Sequence, residues 1–321
     1  MNVFITAEIV DTGLQVLRDA GIAFTQWTEK TVLPQEALIA RCRQFDALLS
    51  TGANKIDAHF LQSCSHLKVI ALHAVGYDNV DIAAATRLKI PIGNTPGVLS
   101  NATADAAFLL MLATSRKAFH LHKTIARGEW TFFDPAVNLG IELQGKTLGI
   151  FGLGNIGYEM AKRCKGAYDM EIIYHNRNAN TAAEKTLGAR KVSFDELLQQ
   201  SDVLSAHAAL TPDTKEIFNG PAFAKMKRTA IFINTARGGM HNETALTEAL
   251  QQQLIWGAGL DVTNPEPMLA GNPLLDMANV CILPHIGSAT YEARSAMSRL
   301  AAENIVAGLQ GRALPHWVNP F

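Results

Sequence analysis

Short apolar runs alternate with amphipathic segments along the whole chain, and they fall into two series. In the first, Val3–Ile5, Ala47–Leu49 and Val69–Leu72 read as strands. Asp11–Ala20, Gln35–Cys42 and Asp81–Leu88 read as helices. Strands alternating with helices predict a parallel sheet with helical cover. The second series begins at Thr147. Its expected strands are Leu148–Phe151, Glu171–Tyr174, Val203–Ala206, Ala230–Asn234, Gly257–Leu260 and Val280–Leu283, with intervening helices at Asp195–Gln200 and Glu243–Gln251. Six strands suit a doubly wound nucleotide-binding sheet.

Between the two series, Ser100 to Arg127 predicts one long helix that Ser100 or Asn101 can cap. Ala106 and Phe108–Ala113 make it apolar on nearly every side, so it is expected to be buried between domains or subunits. A last helix is expected from Ser288 through Leu309, followed by a loose tail, Leu314–Val318. The nucleotide-binding series therefore sits in the middle of the chain, and the last helix returns to the front sheet. The expected division is 1–99 with 289–321 as one domain and 100–288 as the other. The fold class is α/β, with two doubly wound parallel-sheet domains.

A chain of 321 residues is long enough for about two domains. Its 48% apolar content gives each of them a core to bury. The net charge of −1 offers no general attraction for nucleic acid or an anionic membrane. No segment approaches the roughly 18 uninterrupted apolar residues of a membrane span. Met1–Thr6 lacks the basic and apolar regions of a targeting peptide and reads as a first strand. Cys42, Cys64, Cys164 and Cys281 are scattered without metal or redox spacing, and read as reduced thiols of a cytoplasmic protein. His120 and His122 lack a third ligand, so no metal site is expected.

Candidate chemistry starts at Gly152-Leu153-Gly154-Asn155-Ile156-Gly157, which follows an apolar strand and opens a helix. That is the context a dinucleotide fingerprint requires. The first glycine allows the tight turn, the second admits a pyrophosphate to the backbone, and the third lets helix and strand pack closely. The helix N-terminus then faces the phosphates with unpaired N–H groups.

Ligands of doubly wound sheets bind beyond the carboxyl ends of the strands. Three polar residues lie just past such ends. Arg237 precedes two glycines, and its guanidinium can grip a carboxylate with paired hydrogen bonds. Glu266 stands between two prolines that stiffen its loop. His285 has the side chain suited to proton transfer near neutrality. Each has a plain reading as well: a turn arginine, a loop acid, a structural histidine. Together they offer an anion clamp, an acid/base and a carboxylate to orient that base. The nine other histidines, at 59, 66, 73, 120, 122, 175, 207, 241 and 316, lack such company and read as structural.

With these residues in view, the chain resembles the D-isomer-specific 2-hydroxyacid dehydrogenases over essentially its whole length. The resemblance is carried by Ala74–Asp81, Asn94–Leu99, Thr103–Asp105, Gly152–Gly157, Ile233–Gly238, Ala258–Val262 and Pro284–Ser288. It is greatest to the glyoxylate/hydroxypyruvate reductases, a group that includes 2-ketogluconate reductases. It implies a Rossmann domain inserted into a flavodoxin-like substrate domain, and reduction of a small 2-oxo acid to the D-2-hydroxy acid. Arg237 would bind the substrate carboxylate and polarise the 2-oxo group, joined by backbone N–H groups near Val75 and Gly76. His285 would be the general acid in reduction, and Glu266 would hold its working tautomer. Asp261, Thr235 and Ala236 would face the nicotinamide, and Thr103 would touch it. Gly152, Gly154, Asn155, Ile156, Gly157 and Gly287 complete the expected cofactor contacts. The Ser100–Arg127 region matches the family's dimerisation region, so a homodimer is expected.

Two departures from the family bear on the pocket. Ala209 stands where proline is common, and Phe133 stands where close relatives often carry tryptophan. Phosphoglycerate dehydrogenases of the family often carry an extra C-terminal domain. A nicotinamide-binding corepressor on the same fold is the alternative from another class, and the intact Arg237, Glu266 and His285 count against it.

The second strand of the nucleotide series ends in Tyr174-His175-Asn176-Arg177-Asn178, without the acid that holds a ribose in NAD-preferring proteins. Asn176 removes a charge that would repel a 2′-phosphate, and Arg177 can pair with one. The expected cofactor contacts here are Asn176, Arg177 and Asn178, and the expectation is NADP(H) over NAD(H).

Overall fold

The computed structural model describes residues 1–52 and 54–321. Two compact units emerge: Met1–Leu99 together with Ala289–Phe321, and Ser100–Ser288.

The first unit contains β1 (Asn2–Ile5), α1 (Asp11–Asp19), β2 (Ala23–Gln26), α2 (Gln35–Cys42), β3 (Ala47–Ser50), α3 (Ala58–Ser63), β4 (Val69–Leu72), α4 (Ile82–Arg87) and β5 (Ile92–Gly93). Its sheet is parallel throughout, in the order β2-β1-β3-β4-β5, the flavodoxin-like winding. Strands β3 and β4 are buried at every position, which is why they read as unbroken apolar runs. β2 escapes such a reading because it is an edge strand with no fully buried position. Asp57 and Asp81 cap α3 and α4 by accepting from the N–H groups of Phe60 and Ala84.

The last helix of the chain, Tyr291–Leu309, belongs to this unit and packs on α1, β3 and β4. It starts three residues later than Ser288, because Thr290 Oγ1 accepts from Ala293 N–H at 3.1 Å and caps it there. Gly308 sets how closely the helix can lie: a Cβ there would stand 2.5 Å from Val69 Cβ. His73 follows β4, and its Nε2 meets Ser298 Oγ of this helix at 3.0 Å. Burial, with the charge of Arg294, pushes its pKa down to about 4, so the ring is neutral.

The second unit contains α5 (Ser100–Ser115), α6 (Ala118–Ala126), β6 (Thr147–Phe151), α7 (Asn155–Tyr168), β7 (Glu171–His175), α8 (Thr181–Leu187), β8 (Arg190–Lys191), α9 (Phe194–Gln200), β9 (Val203–Ala206), α10 (Gly220–Lys225), β10 (Ile231–Asn234), α11 (Glu243–Gln251), β11 (Gly257–Leu260) and β12 (Val280–Ile282). The last helix is thus α12. All seven strands are parallel, in the order β12-β11-β10-β9-β6-β7-β8. This is the Rossmann arrangement, with its winding reversing between β6 and β9. Successive residues of β6 feed opposite faces. Leu148 and Ile150 join a core with Leu110 and Met111 of α5, whereas Phe151 joins a core with Phe218, Phe223 and Phe232.

The structure departs from three sequence expectations. The Ser100–Arg127 helix is broken, because Lys117 adopts a left-handed backbone (φ 55°) that no α-helix can continue through. Nor is its first half buried all round: Leu109 is 49% exposed, and Phe108 and Leu112 are half-buried. The sheet also gains a seventh strand, β8, whose two exposed cationic residues carry no apolar signal. Among the described residues no helix is long and apolar enough to cross a membrane.

Gly308→Val is expected to destabilise the first unit by about 1–3 kcal/mol through overpacking against Val69. An unchanged unfolding midpoint would show that α12 has room to spare. A second expectation concerns pH. His73 in the first unit and His241 in the second are buried, and burial pushes both pKa values down to about 4, below the ordinary value near 6.5. Between these values the unfolded chain binds more protons, so stability falls as pH falls. The expected loss is about 2 kcal/mol per ring from pH 7 to pH 5. Denaturant titrations at the two pH values measure it, and a flat profile contradicts it.

Candidate active site

The second unit presents its chemistry along the carboxyl edge of its sheet. At the winding reversal, Phe151 of β6 pairs with Ala206 of β9, and the chain leaves both strands side by side. Gly152 takes a positive φ of 96°, and a Cβ there would lie 2.4 Å from Ala208 N. A Cβ on Gly157 would stand 2.6 Å from Gly152 O. Gly154 differs: a Cβ there would meet nothing within 4 Å. It is the N-cap of α7 and makes no side-chain cap bond, so the first N–H groups of the helix face open space over the glycine turn. This cradle fits a pyrophosphate, which would replace the missing cap.

The loop after β7 holds the glycine turn in place. Asn176 Oδ1 accepts from Leu153 N–H at 2.7 Å, and its Nδ2 donates to Leu153 O at 3.3 Å. Asn180 Nδ2 donates to the same carbonyl at 2.9 Å. Asn180 is fixed in turn by Tyr174, whose hydroxyl accepts from Asn180 N–H and donates to Glu184. Asn176 thus braces the turn with both polar atoms, while Arg177 and Asn178 stay exposed. Lys191 Nζ donates to Arg177 O at 3.0 Å, adding a second cation at this corner. Asn180 and Lys191 lie in no motif, so the sequence alone does not signal them.

Arg237, Glu266 and His285 meet at the other end of the edge, although 48 residues separate the first from the last. Arg237 follows β10 in extended conformation, and Nη1 donates to Ala236 O at 2.8 Å. Gly238 lets this turn press against the Glu266 loop, since a Cβ there would sit 1.9 Å from Thr263 O. Glu266 Oε1 is in a short hydrogen bond with His285 Nδ1. Burial pushes the Glu266 carboxyl up, but its bond to His285, the charges of His285 and Arg237 and the Thr263 N–H outweigh it and hold the group below its ordinary value.

His285 itself has a left-handed backbone (φ 55°), which is uncommon outside glycine. Asp261 stabilises it. Its oxygens accept from Ile286 N–H at 2.8 Å and Gly287 N–H at 2.7 Å. The carboxyl is almost fully buried, and this raises its pKa despite both bonds. Thr103 of α5 lies against the same turn, 3.2 Å from where a Gly287 Cβ would be. Asp261 therefore holds the histidine loop from below.

Thr235 meets His207, for which the sequence alone predicts a structural role. His207, just past β9, contacts Ser205 Oγ through Nε2 at 2.8 Å and Thr235 Oγ1 through Nδ1 at 3.4 Å. Burial pushes its pKa down to about 4. The strand-end rule that singled out His285 applies equally to His207. Ala209, in the same loop, accepts from Thr214 Oγ1 at 2.8 Å through its carbonyl. Val75 and Gly76 follow β4 in the first unit, where Asn94 Nδ2 donates to Val75 O at 2.8 Å.

The chain is similar to known proteins over nearly its whole length. Residues 108–287 match the family model for the D-isomer specific 2-hydroxyacid dehydrogenase NAD binding domain. A glyoxylate reductase of Thermococcus litoralis is 41% identical over 99% of this chain and 96% of its own length. The crystal structure of a Thermus thermophilus protein superposes with a TM-score of 0.92 at 40% identity, covering 99% of this chain and all of that one. An NADPH-dependent glyoxylate/hydroxypyruvate reductase of Sinorhizobium meliloti, in complex with NADP and malonate, superposes with a TM-score of 0.85 at 28% identity, covering 99% of this chain and 96% of that one. With an uncapped glycine turn at one end of the sheet edge and a guanidinium, a carboxylate and an imidazole at the other, the chain belongs to the D-isomer specific 2-hydroxyacid dehydrogenases, a family of nicotinamide-dependent oxidoreductases.

Proposed function

We propose that the protein reduces a small 2-oxo acid, glyoxylate or hydroxypyruvate, to the D-2-hydroxy acid with NADP(H) as the preferred cofactor. The observation that carries this reading is the convergence of Arg237, Glu266 and His285 on one strand edge. A reduced nicotinamide bound there supplies the hydride. Arg237 grips the carboxylate of the acid and draws electron density from its 2-oxo group. The backbone N–H groups of Val75 and Gly76 are proposed as further donors to that carboxylate. Glu266 accepts a hydrogen bond from the Nδ1–H of His285, which orients the protonated ring so that Nε2 hands its one proton to the carbonyl oxygen as charge develops. In oxidation the same nitrogen takes the proton back.

The proposed cofactor residues are Gly152, Gly154, Asn155, Ile156 and Gly157 at the pyrophosphate, with Thr235, Ala236, Asp261, Gly287 and Thr103 toward the nicotinamide. At the ribose end Arg177, Asn178 and Lys191 place cations and an amide where an NAD-preferring protein has an acid. Asn176 contributes by fixing the turn and by being uncharged. The two-chain assembly is supported by Trp130, Phe132, Phe133 and Leu139, all exposed in one segment after α6. We propose that a second copy covers them. Four free, buried cysteines suit a cytoplasmic setting.

His285→Ala is expected to lower kcat by about 10²–10⁴-fold while NADPH affinity holds within a few-fold. Near-normal turnover would remove His285 from the chemistry. Arg237→Ala should raise KM for glyoxylate and lower kcat together, and an unchanged glyoxylate response contradicts its role. Arg177→Ser should cost about ten- to a hundredfold in kcat/KM with NADPH and little with NADH. If the two cofactors change alike, the preference is set elsewhere.

A further inference from the structure

Asn234 closes β10 and is wholly buried, three residues before Arg237. Its amide is used on every side. Oδ1 accepts from Ala236 N–H at 3.0 Å, and Nδ2 donates to Arg237 O at 2.9 Å and faces His241 Nδ1 at 3.0 Å. A backbone N–H only donates and a carbonyl only accepts, so the two backbone bonds fix which way the amide points. The remaining Nδ2 hydrogen then requires His241 Nδ1 to be the acceptor. His241 is therefore neutral, with its proton on Nε2.

The ring is wholly buried with no hydrogen-bond partner at Nε2 among the described residues, and the backbone that carries it is held from several directions. The ring lies edge-on to Phe232, with centroids 5.9 Å apart, and its backbone N–H bonds Gly238 O at 3.2 Å. His241 also bridges to Phe218 in the parallel sense. Met240 N–H adds a second bond to Arg237 O at 3.2 Å. The whole turn from Asn234 to His241 is thus built around the Arg237 carbonyl. A ring needed only for bulk among these phenylalanines would have no use for a nitrogen acceptor.

We infer that Asn234 and His241 form a buried positioning pair that sets the direction of Arg237. Both side chains are wholly buried, so the pair is a positioning device and not part of the binding surface. It acts through the backbone on either side of the arginine, so its influence falls on recognition of the acid. This inference rests on the role proposed for Arg237.

The test is steady-state kinetics of the full chain with glyoxylate and NADPH, comparing Asn234→Asp, His241→Phe and Arg237→Lys. Asn234→Asp loses the donors to Arg237 O and His241, and should raise KM for glyoxylate by about ten- to a hundredfold. His241→Phe keeps the bulk, loses the acceptor, and should raise it about three- to tenfold. KM for NADPH should stay within about twofold in both. Nitrogen NMR of labelled histidine supplies a second reading. The His241 proton should sit on Nε2 in the native protein and move to Nδ1 in Asn234→Asp, where a carboxylate now accepts. If Asn234→Asp does not fold, His241→Phe and the native tautomer decide.

An unchanged glyoxylate KM, equal losses toward glyoxylate and NADPH, or a proton found on Nδ1 in the native protein overturns the pair. If Arg237→Lys is inactive while both pair variants are normal, the inference fails and the proposed function stands. If Arg237→Lys works as well as the native enzyme, the role of Arg237 fails with it.

Discussion

Parallel hydrogen-bonded ladders impose one constraint from which the site follows. Every strand of the second unit runs in the same direction, so all carboxyl ends finish along one edge. A residue that leaves β6, β9, β10, β11 or β12 can meet residues that leave the others, whatever their separation in sequence. Gly152, His207, Thr235, Asp261 and Leu283 are each the first residue, or nearly so, past such an end. Without the common direction, an arginine, a glutamate and a histidine on three separate loops would not converge.

Strand ends supply places, and side-chain acceptors supply directions. Three side chains do this in the second unit, each by capturing backbone N–H groups of a neighbouring turn. Asn176 holds the glycine turn through Leu153, Asn234 holds the Arg237 turn through Ala236, and Asp261 holds the His285 turn through Ile286 and Gly287. A bond of this kind contributes about 0.5–1.5 kcal/mol, and up to about 3 when one partner is charged. Asp261 is the charged case, and it supports His285, a non-glycine site residue with a left-handed backbone. The strain of that conformation is of order 1–3 kcal/mol, comparable with what the two bonds contribute.

The electrostatics of the edge are graded. Burial keeps His207 and His241 neutral close to the strands, while the partly exposed Glu266–His285 pair lies farther out in the loops. The neutral rings bond neighbouring polar side chains without adding charge at the strand ends. In the outer pair the Glu266 carboxyl, held below its ordinary value, bonds the His285 imidazole. At the far corner Arg177 and Lys191 stand without a carboxylate in the loop that follows β7.

The sequence by itself determined most of the scaffold. Unbroken apolar runs mark strands buried on both faces, and β3, β4, β9 and β10 are such strands. The glycine turn was legible from its strand-and-helix context, and Arg237, Glu266 and His285 from their places after strands. Elements too short or too polar to carry periodicity were not legible: β2 and β5 at one sheet, β8 at the other edge, and the break at Lys117, which rests on a single backbone angle. The tertiary structure alone decided which polar side chains serve the site indirectly. Asn176 braces the glycine turn, and His207 and His241 bond the polar side chains at the ends of β9 and β10, roles that no local pattern announces. The reason is physical. A hydrophobic pattern is local and repeats along the chain, whereas a buried hydrogen bond depends on a partner that only the folded sheet brings within 3 Å or so.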